Sequence, residues 1–136
     1  MAIIVTVFAT PIFAQTGTVI VEISGVENNT GIIRIGLYNS EGTFPTYGEN
    51  FKGAEPNANV TGVSYTFTDI PIGTYAIAVW HDENENKEMD KNLFGAPTEN
   101  YGFSRNIYGS FGPPSFDEVS FKVNSDKKIT LKIDIE

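Results

Sequence analysis

The stretch "TYAIAVWHDENENKEMD", Thr74–Asp90, decides how this chain is read. Its first half alternates Tyr75, Ile77 and Val79 against Ala76, Ala78 and Trp80. Both faces are apolar, so the pattern predicts a strand covered on both sides, the most central one of its sheet. Its second half turns abruptly acidic, with Asp82, Glu83, Glu85, Glu88 and Asp90 interrupted only by Lys87 among the charged positions. Three readings compete for that cluster: a metal-binding loop, the acids of an enzyme, or a solvated acidic turn.

Around this strand the chain alternates with period two. "TVIVEIS" places Val19, Val21 and Ile23 on one face, and "GIIRIGLY" places Ile33, Ile35 and Leu37 opposite Arg34 and Gly36. "GVSYTFT" sets Val63, Tyr65 and Phe67 against Ser64, Thr66 and Thr68. "EVSFKV" and "KITLKIDIE" continue the pattern to the C-terminal end. Each is the signature of a half-buried antiparallel strand. The segments "ENNTG", "DIPIG" and "NSDKK" carry turn chemistry between them. Residues 40–60 read as a long polar loop with a short edge strand near Phe51. Six or seven strands with short turns predict an all-β fold, a two-sheet antiparallel sandwich of the immunoglobulin-like or transthyretin-like kind, with a barrel as the alternative.

The 136 residues suffice for one domain. The apolar run from Ala2 to Ala14 is short for a membrane span. It reads as the remnant of a signal peptide whose true start lies upstream, cleaved at Ala14–Gln15. The alternative is an N-terminal apolar strand. Residues 15–136 then form a single sandwich domain, secreted or periplasmic and not integral to the membrane after cleavage. No cysteine is present, which excludes disulfides and thiolate metal sites. A net charge of -8 argues against nucleic acid as a partner and is compatible with cations.

Counting Asp82 as position one puts Asn84 at three, Asn86 at five, Glu88 at seven and Asp90 at nine. A loop curling around a hard cation presents alternate side chains inward, which is the physical reason for this spacing in calcium loops. Asp82, Asn84, Asn86, Glu88 and Asp90 are therefore the candidate metal ligands, and calcium the candidate cofactor. Two positions depart from the helix-loop-helix calcium pattern. Lys87 stands where a glycine makes the sharp turn, and Leu93 where a bidentate glutamate closes the shell. The final ligand would come from elsewhere, with Glu99 or water as candidates.

The following segment, "NLFGAPTENYGFSRNIYGSFGPPSF", interleaves aromatics with glycine, proline and asparagine. Two readings stand: its aromatics pack over the open end of the sandwich, or Tyr101, Phe103 and Tyr108 form a stacking platform for a sugar or peptide. Glu99 and Arg105 join these as candidate ligand contacts, Arg105 also as a partner of the acidic loop. Gly112-Pro113-Pro114 predicts extended geometry before a strand at Phe116, with a cis bond at Pro113 or Pro114 as one option. Catalytic signals are thin. His81 and Asp82 are adjacent strand residues and point to opposite faces. Ser104, Ser110 and Ser115 lie in no nucleophile elbow. Paired carboxylates, Asp82 with Glu99 or Asp117, remain as a hydrolase alternative. Asn28 and Asn59 fit the glycosylation pattern inside predicted turns.

The centre of the chain resembles the bacterial family known as domain of unknown function 2141. The residues that carry the likeness are Gly73, Tyr75 and Ala76, then His81, Asp82, Asn84, Asn86 and Asp90. They continue with Gly95, Pro97, Glu99 and Tyr101 to Ser104, and close with Pro113, Pro114 and Phe116. Glu85 and Lys87 stand where members of that family often have glycine. The resemblance implies an exported sandwich-like domain and implies no activity. The functional expectation is an exported, non-enzymatic domain that binds calcium after its central strand and contacts an envelope protein or glycan. The alternatives are a carbohydrate- or peptide-binding module and a small hydrolase.

Overall fold

A computed structural model describes residues 1–9 and 15–136. Residues 1–9 are exposed and carry no regular secondary structure. The expected cleavage junction at Ala14–Gln15 lies outside the described residues.

The strands are β1 (Thr16–Ser24), β2 (Ile32–Tyr38), β3 (Lys52–Ala54), β4 (Val63–Pro71), β5 (Gly73–Asp82), β6 (Tyr101–Phe103), β7 (Phe121–Val123) and β8 (Lys128–Asp134). A 3-10 turn covers Ser104–Asn106, and one short helix, α1, covers Phe116–Val119. They form a three-stranded sheet in the order β4-β1-β8 and a larger sheet in the order β3-β2-β5-β6, with β7 also paired to β5. The all-β sandwich expected from the alternation is the fold. Among the described residues it has eight strands rather than six or seven, and the unexpected one is β6, whose three residues are too few to show a period. One pairing is not antiparallel: β8 runs parallel to β1, with Val19 opposite Ile129 and Ile23 opposite Ile133.

The main core lies between the sheets. Val19, Val21 and Ile23 of β1 meet Ile33, Ile35 and Leu37 of β2, Ile77 and Val79 of β5, and Leu131 and Ile133 of β8. Their alternation is the period-two pattern made physical. In β4 the parity slips, since the pairing shifts by one residue between Gly17 and Val19 of β1. Asp69 takes a left-handed φ of 55° there, and the extra residue lets both Phe67 and Ile70 face inward.

β5 is central, as its two apolar faces predict. Its inner face joins the main core, and its outer face helps build a second, smaller one. Ala76 packs there with Tyr38, Phe44, Phe103 and Val119, joined by the partly buried Tyr101, Ile107, Tyr108 and Phe116. The glycine- and aromatic-rich segment after the acidic loop thus covers the outer face of the larger sheet. Its rings meet mostly edge to face, as at Phe44–Phe103 (5.9 Å) and Tyr101–Tyr108 (5.7 Å).

Two local expectations are corrected. Phe116 does not begin a strand. Ser115 Oγ accepts from the Glu118 N–H at 3.3 Å while the Glu118 carboxylate accepts from the Ser115 N–H at 2.7 Å. That reciprocal cap starts α1 instead. Among the described residues the cis peptide bond is Phe44–Pro45, not one at Pro113 or Pro114.

One edge of β5 changes partner midway. β6 pairs with Ala78 to Trp80, and β7 pairs with Gly73 to Tyr75. The Ile77 N–H falls in the gap, where Ser104 Oγ accepts it at 3.0 Å and donates in turn to the Val119 carbonyl. Ser104 is fully buried. Ser104→Ala should therefore strand two buried backbone groups and cost about 1–3 kcal/mol for each one left unpaired. Urea unfolding checks this, with a lowered midpoint and an unchanged slope expected.

Candidate functional site

The outer face of the larger sheet alternates Arg34, Gly36 and Tyr38 on β2 with Ala76, Ala78, Trp80 and Asp82 on β5. The register sets Arg34 opposite Trp80 and Ile32 opposite Asp82, so Arg34 and Asp82 are diagonal neighbours on one face. The Arg34 Nε and Nη2 groups both donate to Asp82 Oδ2 at 3.0 Å, and Nη1 lies 2.8 Å from Glu55 Oε1. Arg34 is 4% exposed and Asp82 fully buried. Burial works against the guanidinium charge, but the Asp82 hydrogen bond and the Glu55 carboxylate outweigh it, and the group is held above its ordinary pKa. His81 points the other way, into the sheet interior, with Nε2 2.6 Å from the Thr30 carbonyl. The strand alternation predicts that separation of His81 from Asp82.

Asp82 also roots the acidic loop. Its Oδ1 accepts from the Asn86 N–H at 3.2 Å and its Oδ2 from the Lys87 N–H at 3.0 Å. Asn84 Oδ1 accepts from the Asn86 N–H at 3.3 Å, and Asn86 Oδ1 from the Glu88 N–H at 3.0 Å. These side-chain-to-backbone bonds two residues apart are how asparagine shapes a loop. Between them Glu85 and Lys87 take left-handed φ values of 55° and 63°. The Lys87 position thus has the backbone conformation that glycine supplies in the familiar calcium loop, with a lysine side chain attached.

The curled backbone brings three of the five spaced side chains together. Asn84 Nδ2 lies 2.6 Å from Asp90 Oδ2, and Asn86 Nδ2 lies 2.8 Å from Asp90 Oδ1. Asp82 stays at the root with Arg34, and Glu88 is exposed with its backbone N–H on Asn86. Among the described residues no three His, Asp or Glu side chains form a metal-holding group. The convergence is of one carboxylate with two carboxamides. A carboxamide turned about its own axis exchanges oxygen for nitrogen with little change in shape. Both amide oxygens are engaged by the Asn86 and Glu88 N–H groups, so a donor set suited to a hard cation forms only if the two carboxamides turn over and release those bonds.

Glu99 closes the loop. Its Oε2 accepts from the Glu83 N–H at 2.9 Å and its Oε1 from the Asp90 N–H at 3.0 Å. Burial pushes its carboxyl above the ordinary range, the nearby charges of Asp90 and Asp82 add to this, and the two N–H groups oppose it. A raised folded pKa favours the native state below the unfolded value. That advantage is lost as pH climbs through the raised pKa. Asp82 and Glu99 thus have both carboxylates committed to Arg34 and to backbone N–H groups, and are not arranged as an acid–base pair.

Of the other candidates, Tyr101, Phe103 and Tyr108 are brought together, their rings packing edge to face on one another. Phe103 is buried in the outer core. Tyr108 donates its hydroxyl toward the Tyr101 and Asp134 carbonyls, and burial beside Glu136 and Asp134 pushes its pKa up to about 12. Tyr101 is half-buried against both rings. Arg105 reaches the Glu118 carbonyl at 3.2 Å rather than the acidic loop. Arg34, Glu55, Tyr47 and Trp80 are the residues that the sequence reading passed over. The available signal was a lone arginine inside the apolar run "GIIRIGLY", on the face opposite Ile33 and Ile35.

The chain belongs to a bacterial family, described as "Uncharacterized protein conserved in bacteria (DUF2141)", whose sequence model matches residues 21–131. No curated protein and no solved structure matches it.

Two substitutions test this geometry. Asp82→Asn leaves the Arg34 charge buried beside a neutral amide and should cost about 3–5 kcal/mol, read by chemical unfolding. Lys87→Gly removes a side chain from a left-handed position and should raise stability by about 1 kcal/mol, read as a higher melting temperature.

Proposed function

We propose that this member of an uncharacterized bacterial family is an exported, non-enzymatic β-sandwich domain. It binds calcium through the loop after β5 and serves a structural or ligand-interaction role at the cell envelope. The observation that carries the reading is the meeting of Asn84, Asn86 and Asp90 around a backbone curled by Glu85 and Lys87. In this reading Asn84, Asn86 and Asp90 supply side-chain oxygens, and Glu88 supplies its backbone carbonyl, as position seven does in calcium loops. Asp82 acts mainly by fixing the turn, since Arg34 already meets its charge. Glu99 holds both ends of the loop at a fixed spacing. The apolar run from Ala2 to Ala14 supports export. The interaction surface would be the outer face of the larger sheet, which the loop adjoins.

Calcium bound only to the native fold raises stability by about 2.7 kcal/mol at a hundred times its dissociation constant. Thermal unfolding with calcium or with chelator should differ accordingly, and calorimetric titration should show one site. Asp90→Asn should weaken it strongly, because it removes the one carboxylate among the three side-chain ligands. Extracellular calcium modules bind at roughly 0.1–1 mM. No heat and no melting shift at about 10 mM calcium contradicts the proposal.

A further inference from the structure

The outer face of the larger sheet carries a groove that the acidic loop does not use. Strand register builds it. Gly53 of β3 pairs with Gly36 of β2, and Gly36 pairs with Ala78 of β5, so the smallest side chains form one row across three strands. On one side of that row stand Arg34 and Trp80, and on the other Tyr38. The chain between β2 and β3 crosses above with Pro45, Tyr47 and Asn50. The resulting cavity measures about 570 Å³, within the usual range for small-molecule sites. The Tyr38 ring and the Asn50 side chain already lean over the two glycines, which leaves the Ala78 end of the row as the open part. A Cβ at Gly36 would lie 2.7 Å from the Tyr38 ring, and one at Gly53 would lie 2.7 Å from Asn50 Nδ2.

The lining specifies a ligand chemistry. The Trp80 indole N–H is buried and has no hydrogen-bond partner among the described residues. It is closed to solvent, so an acceptor from the groove reaches it only when the covering side chains shift, and is then rewarded. Glu55 Oε1 takes the Tyr47 hydroxyl at 3.0 Å and the Arg34 guanidinium at 2.8 Å. Its other oxygen makes no protein hydrogen bond among the described residues, and the side chain is half exposed. Tyr47 and Trp80 meet edge to face at 4.9 Å and give the groove an aromatic wall. Arg34, Asp82 and Glu55 together carry one net negative charge, which disfavours phosphates and carboxylates. A cationic amine suits Glu55 but brings no acceptor for the indole. A neutral ring bearing hydroxyls satisfies every demand: acceptor lone pairs for Trp80, O–H donors for Glu55, and apolar C–H faces for the rings.

We propose that this groove is a binding site for a neutral saccharide, seated over Ala78 between Trp80, Tyr47 and Glu55. It stands independently of calcium binding. The site also differs from the Tyr101–Phe103–Tyr108 aromatics, which pack on one another.

Trp80 is the only tryptophan, so its fluorescence reports from the groove itself. The full chain is titrated with glucose, galactose, mannose, N-acetylglucosamine and their short oligomers, each with and without chelator. Glucuronate and glucosamine serve as charged counterparts. At least one neutral sugar should give a saturable change with a dissociation constant of about 1 mM or tighter, unaffected by chelator. Tyr47→Ala should weaken it about tenfold or more, a loss of about 1.4 kcal/mol. Ala78→Val, which raises the floor and leaves Trp80 in place, should weaken it too. Should Ala78→Val fail to fold, Tyr47→Ala decides alone, because Tyr47 lies on the surface loop and is partly exposed. No saturation by any neutral sugar at about 50 mM overturns the proposal. So does preferential binding of glucuronate or glucosamine, and so does wild-type affinity in Tyr47→Ala.

Discussion

The buried ion pair between Arg34 and Asp82 is the interaction on which both features of the outer sheet face depend. It joins the middle of β2 to the last residue of β5, and neither partner reaches solvent to any extent. Burying two charges is expensive, and the pair is tolerated only because each has further partners. Asp82 accepts two backbone N–H groups of the acidic loop, and Arg34 reaches on to Glu55. The pair fixes the geometry on either side of it: the curl of residues 82–90 and the wall of the groove. Removing one member would leave a stranded charge, while replacing both by apolar groups would spare the fold and release the loop.

Covering the larger sheet on both faces explains the composition of the central strand. Its inner residues Tyr75, Ile77 and Val79 face the second sheet. Its outer residues Ala76 and Ala78 are small because Phe44, Phe103 and Val119 press against one end of that face and the groove occupies the other. The aromatics between Phe94 and Phe116 are in large part the material of this second core. Ser104 and the capped turn of α1 anchor them to the sheet edge.

The fold was legible because burial writes a period of two into β1, β2, β5 and β8, and turn residues mark the gaps. β3 and β7 were legible as well, from the edge strand expected near Phe51 and from the alternation of "EVSFKV", whereas β6 was not, since its three residues become a strand only by pairing with β5. The parallel pairing of β1 with β8 is a property of topology, to which alternation is blind. α1 was legible in principle, because Ser115 followed by Glu118 is the signature of a reciprocal cap. The spaced residues Asp82, Asn84, Asn86 and Asp90 lie on a curled loop. Their spacing did not reveal that Asp82 faces an arginine, because that partner lies 48 residues upstream and is brought near only by strand register. The groove was equally hidden, since Gly36, Gly53 and Ala78 form a row only once β2, β3 and β5 are aligned.

In the proposed function Arg34 fixes the root of the loop so that Asn84, Asn86 and Asp90 can close on a cation. Solution NMR of the side-chain signals during a calcium titration tests it most directly. The Asn84 and Asn86 amide groups should shift together with one saturation curve, while the Arg34 Nε–H signal stays protected and in place. Asparagine signals that do not move, or an Arg34 signal that disappears as calcium is added, would contradict it.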